Sequence, residues 1–173
     1  MKIIEAMKAI KRLVEKSADL RKKIQTYCAD LDFETPTYGT ADDQRSTVAG
    51  WLQSHSDVLK EILHLRVSIQ RTNILTPVTI TFGDKSVTKS IAEWIHRRRD
   101  LAQLEMSGWS MLTDRGLKEG LANTTAGATK EVRIRRYYDP KMRDGMLELY
   151  RTEPSIIDAT LETVNAITDL IES

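Results

Sequence analysis

One cysteine among 173 residues excludes an intramolecular disulfide. Cys28 lies beside Tyr27 and Leu31 on an apolar helical face, where a buried small hydrophobe is expected rather than a nucleophile, and a reducing compartment is permitted. Histidine is also scarce. His55 and His64 are too far apart for a one-turn pair, His96 stands alone, and there is neither HExxH nor a repeated CxxC. No metal and no cofactor are therefore expected within one chain. Long hydrophobic runs are missing too. "MKIIEAMKAIKRLVEK" is interrupted by charges every few residues, so it reads as neither a signal peptide nor a membrane span. No transmembrane insertion is expected, and the expected location is the cytoplasm. Nor is there a surplus of one charge. Lys plus Arg number 26 against 25 Asp plus Glu, which leaves no global argument for nucleic acid or a membrane surface.

Catalytic signatures are missing as well. There is no G-x-S-x-G, and "GLANTTAG" lacks the G-K-[ST] ending of a phosphate loop. No helix carries the Glu-x-x-His pairing of di-iron bundles. Glu5, Glu15, Glu61, Glu93 and Glu105 read as solvated helix faces, and no catalytic residue is expected.

What the chain has in quantity is helical periodicity. Ile3, Met7, Ile10, Val14, Leu20, Ile24, Tyr27 and Leu31 recur at three- or four-residue spacing and predict a helix over 2–32. "DFETPTYGTADDQRST" breaks the pattern, giving a loop from Phe33 to Ser46, with Ser46 or Thr47 as the next cap. A second helix is predicted over 47–72, with Val48, Leu52, Leu59, Ile62, Leu65 and Ile69 in its apolar stripe and Trp51 filling the seam. Leu59 is expected at the centre of the core. Two long helices joined by such a loop favour an antiparallel hairpin.

A small β-insertion is predicted near 76–88. Val78, Ile80 and Phe82 alternate with threonines, and Gly83-Asp84 supplies the turn. Thr88 would cap a third helix over 89–114, lined by Ile91, Trp94, Ile95, Leu101 and Leu104. "NTTAGAT" reads as a mobile segment, and "KEVRIRRYY" as a possible strand near 130–137 that joins the first hairpin or a neighbouring subunit. Asp139-Pro140 opens the last helix, over 140–172, in which Pro154 implies a kink or a fresh start capped by Thr152. The fold class is mainly α: an elongated antiparallel helical bundle or coiled coil, in one domain over 1–173, with a small inserted β-hairpin.

Three stretches resemble the septicolysin-like family, a group of bacterial and bacteriophage helical proteins. They are "EAMKAIKRLVEKSADLRKKI", "HLRVSIQRTNILTPVTI" with its T-N junction before a hairpin, and "SIIDATLETVNAITDLI". The chain departs from that family at "GWSMLTDRGLKEGLANTTAGAT", where a shorter, more charged connection is expected. The resemblance implies a phage capsid or tail component, incorporated in a virion.

Two residue sets invite a role. Arg71, Thr72, Asn73 and Pro77 mark the helix-to-hairpin junction. There the arginine complements the helix dipole, Thr72 bonds back, Asn73 ends the helix and Pro77 prevents its continuation. Arg133, Arg135, Arg136, Tyr137 and Tyr138 form a basic-aromatic segment, with Arg133 and Arg135 on one strand face. Arginine and tyrosine suit a protein interface. The leading expectation is a non-enzymatic structural protein that forms a homo-oligomer or joins other proteins of a larger assembly. Two alternatives stand beside it: a nucleic-acid-associated protein using residues 130–143, and a metal protein or enzyme with an intersubunit site.

Overall fold

Thr40, rather than Ser46 or Thr47, starts the second helix. Its hydroxyl accepts from the Asp43 N–H at 3.2 Å, and the Asp43 carboxylate accepts from the Thr40 N–H at 2.9 Å. This reciprocal cap satisfies two otherwise orphaned donors and pulls the helix start six residues into the expected loop. The computed structural model describes residues 1–123, 125 and 127–172. The expected mobility of "NTTAGAT" falls partly on Thr124 and Ala126, which lie outside the described residues, as does Ser173.

The architecture is mainly helical with two small antiparallel hairpins. Its order is α1 (Ile3–Tyr27), α2 (Ala41–Leu75), β1 (Pro77–Phe82), β2 (Lys85–Ser90), α3 (Ile91–His96), a π-helical segment (Arg97–Leu101), α4 (Ala102–Ser110), β3 (Gly120–Asn123), β4 (Thr129–Val132) and α5 (Pro140–Ile167). No helix among the described residues is long and apolar enough to cross a membrane. Packing divides the chain into two compact units. The first is Met1–Pro77 with Glu162–Ser173, and the second is Val78–Leu161.

In the first unit, α1 and α2 form the expected antiparallel pair. Leu20, Val58 and Ile62 are its buried centre, with Ile10, Leu13 and Trp51 packed against them. Ser17 and His55 share a hydrogen bond of 3.1 Å across the pair. Tyr27, Tyr38 and Trp51 stack at the loop end with ring centroids 5.2–5.8 Å apart. α1 stops at Tyr27, earlier than expected, and Cys28 becomes its C-terminal cap. Cys28 is consequently exposed, not buried, with its thiol directed at the Gln25 carbonyl. The chain end is tied to the start of α1. Ile3 N–H donates to the Thr168 carbonyl at 3.1 Å, Leu170 N–H donates to the Met1 carbonyl at 2.8 Å, and Lys2 pairs with Asp169 at 2.7 Å.

In the second unit, β1 buries Val78 and Ile80 on one face, as their alternation predicts. Thr79 pairs with Thr88, and Thr81 with Ser86, through hydroxyls at 2.7 and 2.9 Å. Gly83 makes the turn at φ 59°. Ser90, not Thr88, caps the following helix, in a box with Glu93. Trp94 is 1% exposed and donates its indole N–H to the Val78 carbonyl at 2.9 Å, which anchors α3 on β1. The third helix is not continuously α-helical. The π-helical turn inserts one residue, so the buried line from Ile91 and Trp94 continues at Ala102 rather than Leu101. Leu101 and Leu104 are exposed.

The strand expected near 130–137 ends at Val132 and pairs with β3, Gly120 opposite Val132, instead of joining the first hairpin. Arg133 and Arg135 therefore lie beyond the strand and share no strand face. α5 runs unbroken through Pro154 and ends at Ile167, short of the expected 172. Thr152 caps nothing. Its hydroxyl bonds back to the Glu148 and Leu149 carbonyls, as threonine does inside helices.

Candidate assembly surface

Two apolar lines run along α2. At about 100° per residue, Val58, Ile62 and Leu65 fall on one side and face α1. Leu52, Leu59, Leu63, Val67 and Ile74 fall within an arc of about 80°, centred roughly 130° away from the first line. All five are exposed, Leu59 by 47% and Leu63 by 63%. Ala49, Ser56 and Gln70 fill the gaps in this second line, so small or uncharged side chains extend it over most of the helix. Leu52 and Leu59 are thus outer-face residues and not part of the core. The expected single stripe merged two faces, because both carry leucine at helical spacing. The neighbouring Lys60 is paired with Asp57 at 3.2 Å, so a partner can cover this flank without stranding its charge.

The basic-aromatic segment is more occupied by its own surroundings than expected. Arg136 forms a bidentate pair with Asp114, both bonds at 2.7 Å, and the Tyr138 hydroxyl donates to the same carboxylate at 3.3 Å. The Arg136 guanidinium holds the Asp114 carboxyl below its ordinary range. Arg143 lies 5.7 Å over the Tyr138 ring and donates to the Leu112 carbonyl at 2.9 Å. These contacts staple 112–114 to 136–143. Arg133 meets Glu131 at 3.4 Å. Tyr137 projects, 90% exposed, and Arg135 is exposed beside it. Arg133, Arg136 and Arg143 thus each face a local carboxylate, which leaves less free positive charge for a phosphate backbone than the sequence suggests.

The junction residues also take particular places. Thr72 is fully buried. Its hydroxyl donates to the Ser68 carbonyl at 2.8 Å and accepts from the Ile171 N–H at 2.8 Å. Arg71 reaches the Glu172 carbonyl at 3.4 Å. Asn73 does not end the helix, which runs on to Leu75 and is closed by the Thr76 N–H on the Thr72 carbonyl at 2.9 Å before Pro77 begins β1. The Asn73 Oδ1 is buried and receives no hydrogen bond from the described residues. Thr72→Val should strand the Ile171 N–H and cost about 1–3 kcal/mol. Asn73→Ala strands nothing further and should cost less. Urea denaturation of both variants checks the order.

Sequence reasoning missed one cluster altogether. In the second unit, Arg97 donates to Glu153 through Nε at 2.5 Å and to Glu105 through Nη1 at 2.6 Å, with a second bond of 3.0 Å to each. It lies 5.3 Å over the Tyr150 ring. The Arg97 and Tyr150 hydrogen bonds lower the Glu105 carboxyl to about 2. Glu153 is buried beside Pro154, and Arg97 opens the π-helical turn. Among the described residues no group of three or more His, Cys, Asp and Glu side chains is arranged to hold a metal. Compared with protein families, curated proteins and solved structures, the chain matches none.

Proposed function

We propose that the protein is a non-enzymatic structural protein that self-associates, with the outer face of α2 covered by a second copy of the chain. The observation that carries this reading is the line Leu52, Leu59, Leu63, Val67 and Ile74, held exposed on a helix whose opposite side already fills the α1–α2 core. A contiguous apolar line of this kind marks an interaction surface. The narrower reading, a component of a bacteriophage capsid or tail, rests on the septicolysin-like resemblance and names the setting in which such assembly would occur.

Sedimentation equilibrium of the wild type, of Leu59→Glu/Leu63→Glu and of Tyr137→Ala tests the proposal. Both leucines are exposed, so helix content should be unchanged in the double variant. Wild type should form a defined multimer. Two uncompensated carboxylates in the contact should weaken association at least about 100-fold, and Tyr137→Ala should associate like wild type. A wild type that stays monomeric at high concentration rejects the proposal. Loss of association in Tyr137→Ala alone would move the contact to the basic-aromatic segment.

A further inference from the structure

A cavity of about 340 Å³ opens within the second unit, between the first hairpin, α3 and α5. It is a cleft open to solvent on one side, and it has the size of a small-ligand pocket. Phe82 and Val87 from the hairpin and Met146 and Leu149 from α5 are each only half-buried around it, because no side chain fills the space between them. Trp94 closes one side, with its ring 5.9 Å from Phe82. The wall is therefore apolar and partly aromatic.

The polar groups of the lining fall into two sets. Arg97, Glu105, Glu153 and Tyr150 are bonded to one another, so their hydrogen-bonding capacity is largely spent. Lys85 and Lys89 are different. Neither has a carboxylate within ion-pair distance among the described residues, and Lys89 rests 6.0 Å from the Trp94 ring. The lining as a whole holds three cations against two carboxylates. The Arg97 cluster carries one net negative charge, so the two lysines leave a surplus of one on the hairpin side, beside the apolar wall, and Lys89 also acts on the Glu93 and Glu105 carboxylates.

We infer that this cavity binds a small amphipathic carboxylate, with the apolar body against Phe82, Val87, Met146 and Leu149 and the carboxylate on Lys85 and Lys89. The geometry matches the chemistry. A neutral apolar molecule would leave the lysines unused, and a compact anion would leave the apolar wall wet. Desolvating the apolar body supplies most of the affinity, and the charge-assisted bonds fix which end points outward. No covalent step is involved. The inference is independent of α2, which lies in the other unit.

Calorimetric titration of the full chain with octanoate, and with 1-octanol as the neutral analogue, tests it. Octanoate should bind saturably at one site per chain, at least about tenfold more tightly than 1-octanol. Lys85→Ala/Lys89→Ala should weaken octanoate at least about tenfold and leave 1-octanol unchanged. Leu149→Trp, which fills the space, should remove both. Circular dichroism confirms the fold of each variant. The two lysines are not buried, so that pair of substitutions keeps the test decisive if the tryptophan variant misfolds. No saturable octanoate binding, equal affinity for the two probes, or undiminished octanoate binding by the lysine variant would each overturn the assignment. Undiminished binding by a folded Leu149→Trp chain would overturn it too, by placing the site elsewhere.

Discussion

Replacing Arg97 with alanine is expected to cost about 3–5 kcal/mol of stability, the effect of removing one partner from a buried ion pair. The Arg97 side chain is 16% exposed and that of Glu153 is 6% exposed. Without the guanidinium, Glu153 keeps a charge out of water with nothing opposite it, and Glu105 loses both bonds from the same group. Replacing Arg97 by Met and Glu153 by Leu together should cost much less, because no buried charge is then stranded and the half-exposed Glu105 stays hydrated. Chemical denaturation of the single and double variants separates the two outcomes. Equal losses would mean that the cluster's value lies in its attraction and not in avoided desolvation.

The same cluster sets an acid limb. The Glu105 carboxyl falls in the folded chain from an ordinary value of 4.5 to about 2. A depressed carboxylate contributes stability that is present above its unfolded value and is lost as pH falls through that value toward the folded one. The contribution of Glu105 should therefore be complete at neutral pH and decline between 4.5 and about 2. Arg97→Ala should flatten that part of the profile, since it removes the main cause of the depression.

The second large effect is a contrast between neighbours. Ile62→Ala should cost about 2–5 kcal/mol, because a 6% exposed side chain leaves a cavity in the α1–α2 core. Leu59→Ala, three residues away, should change the stability of the dissociated chain by less than about 0.5 kcal/mol. Its cost should appear in association instead. Thermal melts at low concentration, where the chain is dissociated, measure the first property. Sedimentation measures the second. A Leu59→Ala chain that melts as badly as Ile62→Ala would return Leu59 to the core.

That contrast shows where the sequence was legible and where it was not. The first hairpin could be read because its signals are local: Val78 and Ile80 alternate, Gly83-Asp84 turns the chain, and Pro77 bars a continuing helix. The existence of α1, α2 and α5 could be read from periodicity for the same reason. Periodicity does not say which of two apolar lines meets the neighbouring helix. The three- and four-residue spacing places Leu52 and Leu59 inward with Ile62 and Leu65, whereas helical angle separates the α2 residues into two faces. The cap at Thr40 was in view as T-x-x-D, but Pro36 and Gly39 just before it read as a longer loop.

The Arg97 cluster had no local signal. Arg97 and Glu153 are 56 residues apart. The bond to Glu105 depends on a π-helical turn that no spacing rule reveals. Of the three consecutive arginines, Arg97 meets Glu105 and Glu153, Arg98 meets Asp158 at 2.5 Å, and Arg99 contacts His96 and Asp100 within its own turn. The local pairing of the tyrosine-arginine segment was illegible for a related reason. Asp114, more than twenty positions earlier, takes up Arg136 and Tyr138.

The central claim is that the outer line of α2 is covered by a second copy. Hydroxyl-radical footprinting over a concentration series tests it most directly, because oxidation reports the exposure of individual side chains. The expected result is that oxidation of Leu52, Leu59 and Leu63 falls as the chain associates, while Met111 and Met142, exposed in the other unit, keep their rates. Association with undiminished oxidation of Leu59 and Leu63 would contradict it.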